Sequence, residues 1–152
     1  MNEINTIDSL QENGTCFFID ILPQKMESAS FFNLEEYLLQ SYIIPFSKKI
    51  SEIAIKLTHY YRSKILFFPR DSDTPPKDLT NVALQELSTT IANTIREDKD
   101  SIQILINLPS PFLMSINGGF SVDFYFDGQF EEQIKLISLL ATQENLFFRK
   151  ET

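Results

Sequence analysis

Residues 120–126 read Phe-Ser-Val-Asp-Phe-Tyr-Phe, a strict alternation of apolar and less apolar side chains. Successive residues of a strand point to opposite faces of a sheet. The segment therefore puts Phe120, Val122, Phe124 and Phe126 on one face, and Ser121, Asp123, Tyr125 and Asp127 on the other. Such a strand belongs to a sheet packed on helices on one side and at least partly wet on the other. Asn117-Gly118-Gly119 before it is a hairpin turn, and residues 112–116 form the strand that the turn reverses. Residues 101–108 alternate as well, with Ile102, Ile104, Ile106 and Leu108 between mostly polar neighbours. Residues 101–126 are thus antiparallel ribbon, broken by Pro109 and Pro111.

The rest of the pattern supplies the helices. Residues 15–22 read as a strand stopped by Pro23, and 23–32 as a loop with a Ser-rich centre. Asn33 suits an N-cap, followed by Leu34, Tyr37, Leu38 and Tyr42 at helical spacing. Pro45 opens a second helix as its first residue, with Phe46, Ile50, Ile53, Leu57 and Tyr60 or Tyr61 on one stripe. Residues 65–68 are a short strand and 69–78 a loop. A third helix carries Leu79, Val82, Ala83, Leu87, Ile91 and Ile95, and a fourth spans 129–142, before a last strand at 146–149. Residues 1–12 are expected to be a loosely held segment with a short helix around 6–11. The order is β-α-α-β-α-β-β-β-α-β. It implies a two-layer α+β fold, one domain over 1–152, with a mixed or antiparallel sheet and helices mainly on one face.

Charge is unevenly placed. Residues 46–70 carry six Lys or Arg against Glu52 alone, a net +5, while the whole chain is −8. The contrast can steer a partner or a second copy of the chain. The acidic balance argues against broad nucleic-acid coating, because a duplex is repelled by most of such a surface. Cys16 is the only cysteine, so no intramolecular disulfide forms, which fits a reducing, cytoplasmic setting. The first residues lack an apolar core of the signal-peptide kind, and no apolar run reaches the roughly 18–20 residues of a membrane helix.

Motifs exclude more than they suggest. The four glycines each follow Asn, Asp or another turn glycine, and turn geometry with positive φ accounts for them. Neither a Gly-x-Gly-x-x-Gly nor a Walker-type loop exists. One histidine, His59, and one cysteine cannot build a common zinc site. No cofactor or metal is expected on these grounds. His59 reads as a helix-terminal residue bonded to a carbonyl, and Cys16 as a buried, inert thiol.

Carboxylates are the one abundant chemical resource. Asp123 and Asp127 are four residues apart, about 13 Å along a strand, too far to share one ion. Asp20 meets Asp123 only if their strands pair in a suitable register. The leading expectation is a non-enzymatic protein-binding or regulatory domain whose acidic, aromatic sheet face (Asp20, Asp123, Tyr125 and Asp127) contacts a basic protein partner. An alternative is a carboxylate-dependent hydrolase using a divalent cation between Asp20 and Asp123. A further alternative is nucleic-acid binding through the basic helix 46–64, with Lys48, Lys49, Lys56, Arg62 and Lys64 as its patch. The opposed charges also allow a homodimer.

Overall fold

The computed structural model describes residues 2–26 and 31–151. Five helices occur among them: α1 (Asn2–Asn13), α2 (Phe31–Ser41), α3 (Ile43–Tyr60), α4 (Leu84–Glu97) and α5 (Glu131–Gln143). The strands are β1 (Thr15–Asp20), β2 (Ser63–Phe68), β3 (Lys77–Asp78), β4 (Ser101–Ile106), β5 (Phe112–Ile116), β6 (Val122–Phe126) and β7 (Phe147–Lys150). All seven join one sheet, ordered β3-β2-β4-β5-β6-β1-β7, and every pairing is antiparallel. The fold is α+β in the order read from the sequence, with α1 ahead of it and the two-residue β3 added. The Ser-rich centre of the 23–32 loop lies outside the described residues.

One face of the sheet carries the main core. Ile102, Ile104, Ile106, Phe112, Met114, Val122, Phe124 and Phe126 pack there against Phe46, Ile50 and Leu57 of α3, Ile91 and Ile95 of α4, and Ile137 of α5. Phe120 precedes β6 and sits edge-on to Phe46, with ring centroids 4.9 Å apart. The alternating Phe residues are thus core volume, as their period demands.

The first two chain-order helices of the expected scheme are nearly one. Tyr42 N–H donates to Leu38 O, and Phe46 N–H donates to Tyr42 O, so the helical bonding runs across the junction. The break at Tyr42 has a local cause. Pro45 has no N–H to give Ser41 and its ring crowds that carbonyl, which kinks a helix. Pro45 is consequently the third residue of α3 rather than its first.

The third expected helix starts later than its apolar spacing suggests. Leu79 is buried but belongs to a loop. Asp78 accepts a bond from Thr80 N–H, and Leu79 N–H donates to Ile65 O. Those bonds and the β2–β3 pairing hold residues 77–80 against the sheet edge, so α4 begins at Leu84.

The opposite face of the sheet has its own, smaller core. Ile7 and Leu10 of α1 cover Leu66, Leu105 and Leu113, with Phe68 and Tyr125 at the margin. The N-terminal segment is therefore a full twelve-residue helix held by buried side chains, not a loosely held stretch. It packs over β4, β5 and the Tyr125 end of β6, with Leu66 of β2 in the same cluster, and a cleft lies over the rest of the β6-β1-β7 half.

Candidate functional site

Residues directly opposite on paired strands share a face. The registers set two rows across the open half of the sheet. One row is Ser115, Asp123, Phe18 and Arg149, on β5, β6, β1 and β7. The next is Leu113, Tyr125 and Cys16, continued by Glu151, whose N–H donates to Cys16 O over 2.9 Å. Asp20 stands one same-face step beyond Phe18. Above these rows lies a cleft of about 720 Å³. Phe18 and Tyr125 lie in its floor, Leu22, Gln24, Lys25 and Met26 come from the chain after β1, and Phe31 comes from the first turn of α2.

Asp20 and Asp123 thus line one cleft, but they do different things. Arg149 Nη1 bonds the Asp20 carboxylate, and the Arg149 guanidinium carbon lies 5.0 Å from the centre of the Phe18 ring. That pair is a structural clamp between β1 and β7, and its charges cancel. Asp123 forms no ion pair among the described residues. Burial is the main force raising its pKa, the charge of Glu151 adds to it, and a hydrogen bond with Ser121 works the other way. Glu151 also lacks an ion pair among the described residues. The cleft lining carries three acids (Asp20, Asp123, Glu151) and three bases (Lys25, Arg149, Lys150), so it is not acidic throughout. Its uncompensated negative corner is Asp123 with Glu151.

Cys16 and Tyr125 close that corner. Burial first, then the hydrogen bond with Glu151 and the charge of Asp123, push the Cys16 thiol up to about 12. Burial and Asp123 likewise push the Tyr125 phenol up to about 12. Both stay protonated at neutral pH, and Cys16 is half-buried, where its sequence position suggests full burial.

The remaining expected site residues are elsewhere. β6 ends at Phe126, and Asp127 lines a separate hollow of about 420 Å³ with Asn5, Ser9 and Pro109. The expected grouping of Asp127 with Asp123 and Tyr125 does not form. The basic patch is divided too. Lys49 Nζ donates to Glu144 O over 2.7 Å and to the Tyr42 hydroxyl, and Lys56 lies 4.0 Å from the Glu144 carboxylate. Seven residues apart, these two lysines hold the C-terminal end of α5, where cations complement the helix dipole. Lys64 is paired with Asp78 at 2.8 Å and stands opposite Leu105, on the α1 side of the sheet. Lys48 and Arg62 are exposed. The cations adjacent in sequence therefore face different sides of the molecule.

His59 Nδ1 lies 2.8 Å from Ile55 O at the end of α3, the helix-terminal role its position suggests. Among the described residues no three His, Cys, Asp or Glu side chains gather to hold a metal ion, and no helix is long and apolar enough to cross a membrane. No protein-family model, no curated protein and no solved structure matches this chain.

Phe18 beside Asp20 was legible as apolar surface of this face; sequence reasoning missed Arg149 as clamp and Glu151 as the second carboxylate. Their signal is the β1–β7 register, which joins segments about 130 residues apart and leaves no local trace.

The raised pKa of Asp123 has a consequence for stability. Its unfolded value is near 3.8 and its folded value is higher. The folded state binds more protons between the two, so stability falls as pH rises through that window. Asp123→Asn removes the penalty. We expect it to raise Tm at neutral pH. The gain should shrink as pH drops below the folded value. Thermal melts at several pH values check this, and a lower Tm at neutral pH would contradict it.

Proposed function

We propose that the chain is a non-enzymatic protein-binding module whose open half-sheet receives a basic, partly apolar segment of another protein. The observation that carries this is Asp123, a half-buried carboxylate beside Glu151 with no ion-pair partner among the described residues, set in a cleft with aromatic rings in its floor. A charge held in that state is destabilising by itself. A lysine or arginine from a partner would relieve the repulsion, and its neighbours would find Phe18, Met26 and Phe31. The groups present serve recognition better than bond-breaking. Cys16 and Tyr125 keep their protons, Asp20 is committed to Arg149, and the one imidazole is on α3. The free cysteine agrees with a cytoplasmic setting, where we place the protein.

The test is a calorimetric titration with a short peptide alternating lysine and valine. Binding is expected in the micromolar range, about tenfold weaker for Asp123→Asn and for Glu151→Gln, since one such pair is worth roughly 1.4 kcal/mol. Affinity should also fall as salt rises, and as pH falls through the raised pKa of Asp123. Asp127→Asn should change nothing. Equal affinity for the wild type and Asp123→Asn would remove this reading.

A further inference from the structure

We propose that the cation this cleft receives is a guanidinium: an arginine of the partner, seated on the Tyr125 ring against the Asp123 carboxylate, and preferred there over lysine. The inference rests on the cleft being the site of a basic segment, and adds which base it takes. The sheet already holds one such seat, filled from within. The Arg149 guanidinium carbon lies 5.0 Å from the centre of the Phe18 ring, and Arg149 Nη1 bonds the carboxylate of Asp20, two residues further along β1 on the same face. Ring, carboxylate and guanidinium occupy adjoining positions on the sheet.

The neighbouring strand repeats the first two parts without the third. Tyr125 and Asp123 are likewise two residues apart on one face of β6, roughly 7 Å along the strand. β6 runs antiparallel to β1, with Tyr125 opposite Cys16 and Asp123 opposite Phe18. The carboxylate therefore lies on the same side of its ring in both seats. Arg149 stands directly opposite Phe18 and fills the first seat. Opposite Tyr125 stand Leu113 and Cys16, and neither brings a cation. Asp123 has no ion-pair partner among the described residues, and the charge of Glu151 acts on the same corner. What this second seat lacks is the group that completes the first. Its surroundings favour arginine over lysine. A guanidinium is more weakly hydrated than an ammonium, so it loses less on entering a half-buried corner. Its flat face stacks on an aromatic ring, and its planar donors can serve Asp123 and Glu151 together, where lysine brings one compact charge.

Calorimetric titration with two peptides of equal length, one alternating arginine and valine and the other lysine and valine, tests the seat. The arginine peptide should bind the wild type about tenfold more tightly. Tyr125→Phe keeps a ring and should keep that preference. Tyr125→Leu should bring the arginine peptide down to the level of the lysine peptide, whose own affinity hardly changes. Circular dichroism confirms that both variants keep their fold. A second measurement needs no variant: in the wild-type complex the arginine side-chain methylenes should shift upfield in the ring current and show nuclear Overhauser contacts to the Tyr125 ring. Equal affinity for the two peptides would overturn this inference and leave the protein-binding reading standing. Binding of neither peptide would overturn both. A preference for arginine that survives in Tyr125→Leu, or Overhauser contacts to other rings and none to Tyr125, would also overturn the seat assigned here.

Discussion

Phe112→Ala should cost about 3–5 kcal/mol of folding stability, the usual toll for emptying a buried Phe site. For a chain of this length that lowers Tm by about 6–20 °C. Phe112 is completely buried. Its ring stacks on Phe126 at 5.0 Å, meets Phe130 edge-on at 5.7 Å, and meets Tyr61 edge-on at 6.0 Å. One side chain thereby joins β5 to β6, to the start of α5, and to the α3–β2 junction. Alanine leaves a void among rigid rings, which are poorly able to collapse into it. Urea denaturation should show a lower midpoint with an unchanged slope, because the exposed surface on unfolding hardly alters. Phe32→Ala is the matched control: that ring is 77% exposed, and its loss should stay within about 0.5 kcal/mol in the monomer. A Phe112→Ala loss below about 1 kcal/mol would mean that the aromatic core is not packed as described.

Gly118→Ala should be the second most damaging change, toward the upper end of the roughly 1–3 kcal/mol that overpacking costs. Gly118 does not need a left-handed backbone. It needs the absence of a Cβ, which would run into the side chain and Cα of Asp98. Asp98 cannot easily retreat. It ends α4 in the left-handed conformation at φ 52°, with its N–H bonded to Thr94 O. The neighbouring Gly119 N–H donates to Ile95 O over 3.0 Å, so the β5–β6 turn caps α4. Gly119 is the opposite case, with φ 65° and open space where a Cβ would go. Gly119→Ala should cost only about 1 kcal/mol of backbone strain. Chemical denaturation of both variants gives the order. If Gly119→Ala proved worse, the close approach of turn and helix would be wrong.

The same two glycines show where sequence reading reaches its limit. Positive φ in a turn is a local property, and Asn117-Gly118-Gly119 announces it for Gly119. The need for bare backbone at Gly118 comes from Asp98, twenty residues away, and has no local sign. The elements themselves were legible because periodicity is local. Strict alternation marks β6, and the stripe Phe46, Ile50, Ile53, Leu57 marks α3. Leu79 misled because a loop residue can enter the core at helical spacing from its neighbours. α1 did leave a trace. Leu105 breaks the polar side of the 101–108 alternation, Leu113 shares its face, and that is where α1 lands.

The site was half legible for the same reason. Asp123 and Tyr125 share a face by alternation alone. Asp127 was grouped with them only by extending the strand past its end at Phe126. Lys64 was grouped with the helix lysines because the chain passes from α3 into β2 between Tyr60 and Ser63, and sequence proximity hides the change of face. Arg149 and Glu151 reach the cleft only through pairing of the chain's last strand with β1.

The central claim is that the open half of the sheet, and not the basic helix, meets a cationic segment. Amide chemical-shift mapping of the isotope-labelled protein during titration with the lysine–valine peptide asks this directly. Shifts concentrated at Cys16, Phe18, Asp123, Tyr125, Arg149 and Glu151, and lost in Asp123→Asn, are the expected result. Shifts confined to α3, to the hollow beside Asp127, or to no site at all would contradict it.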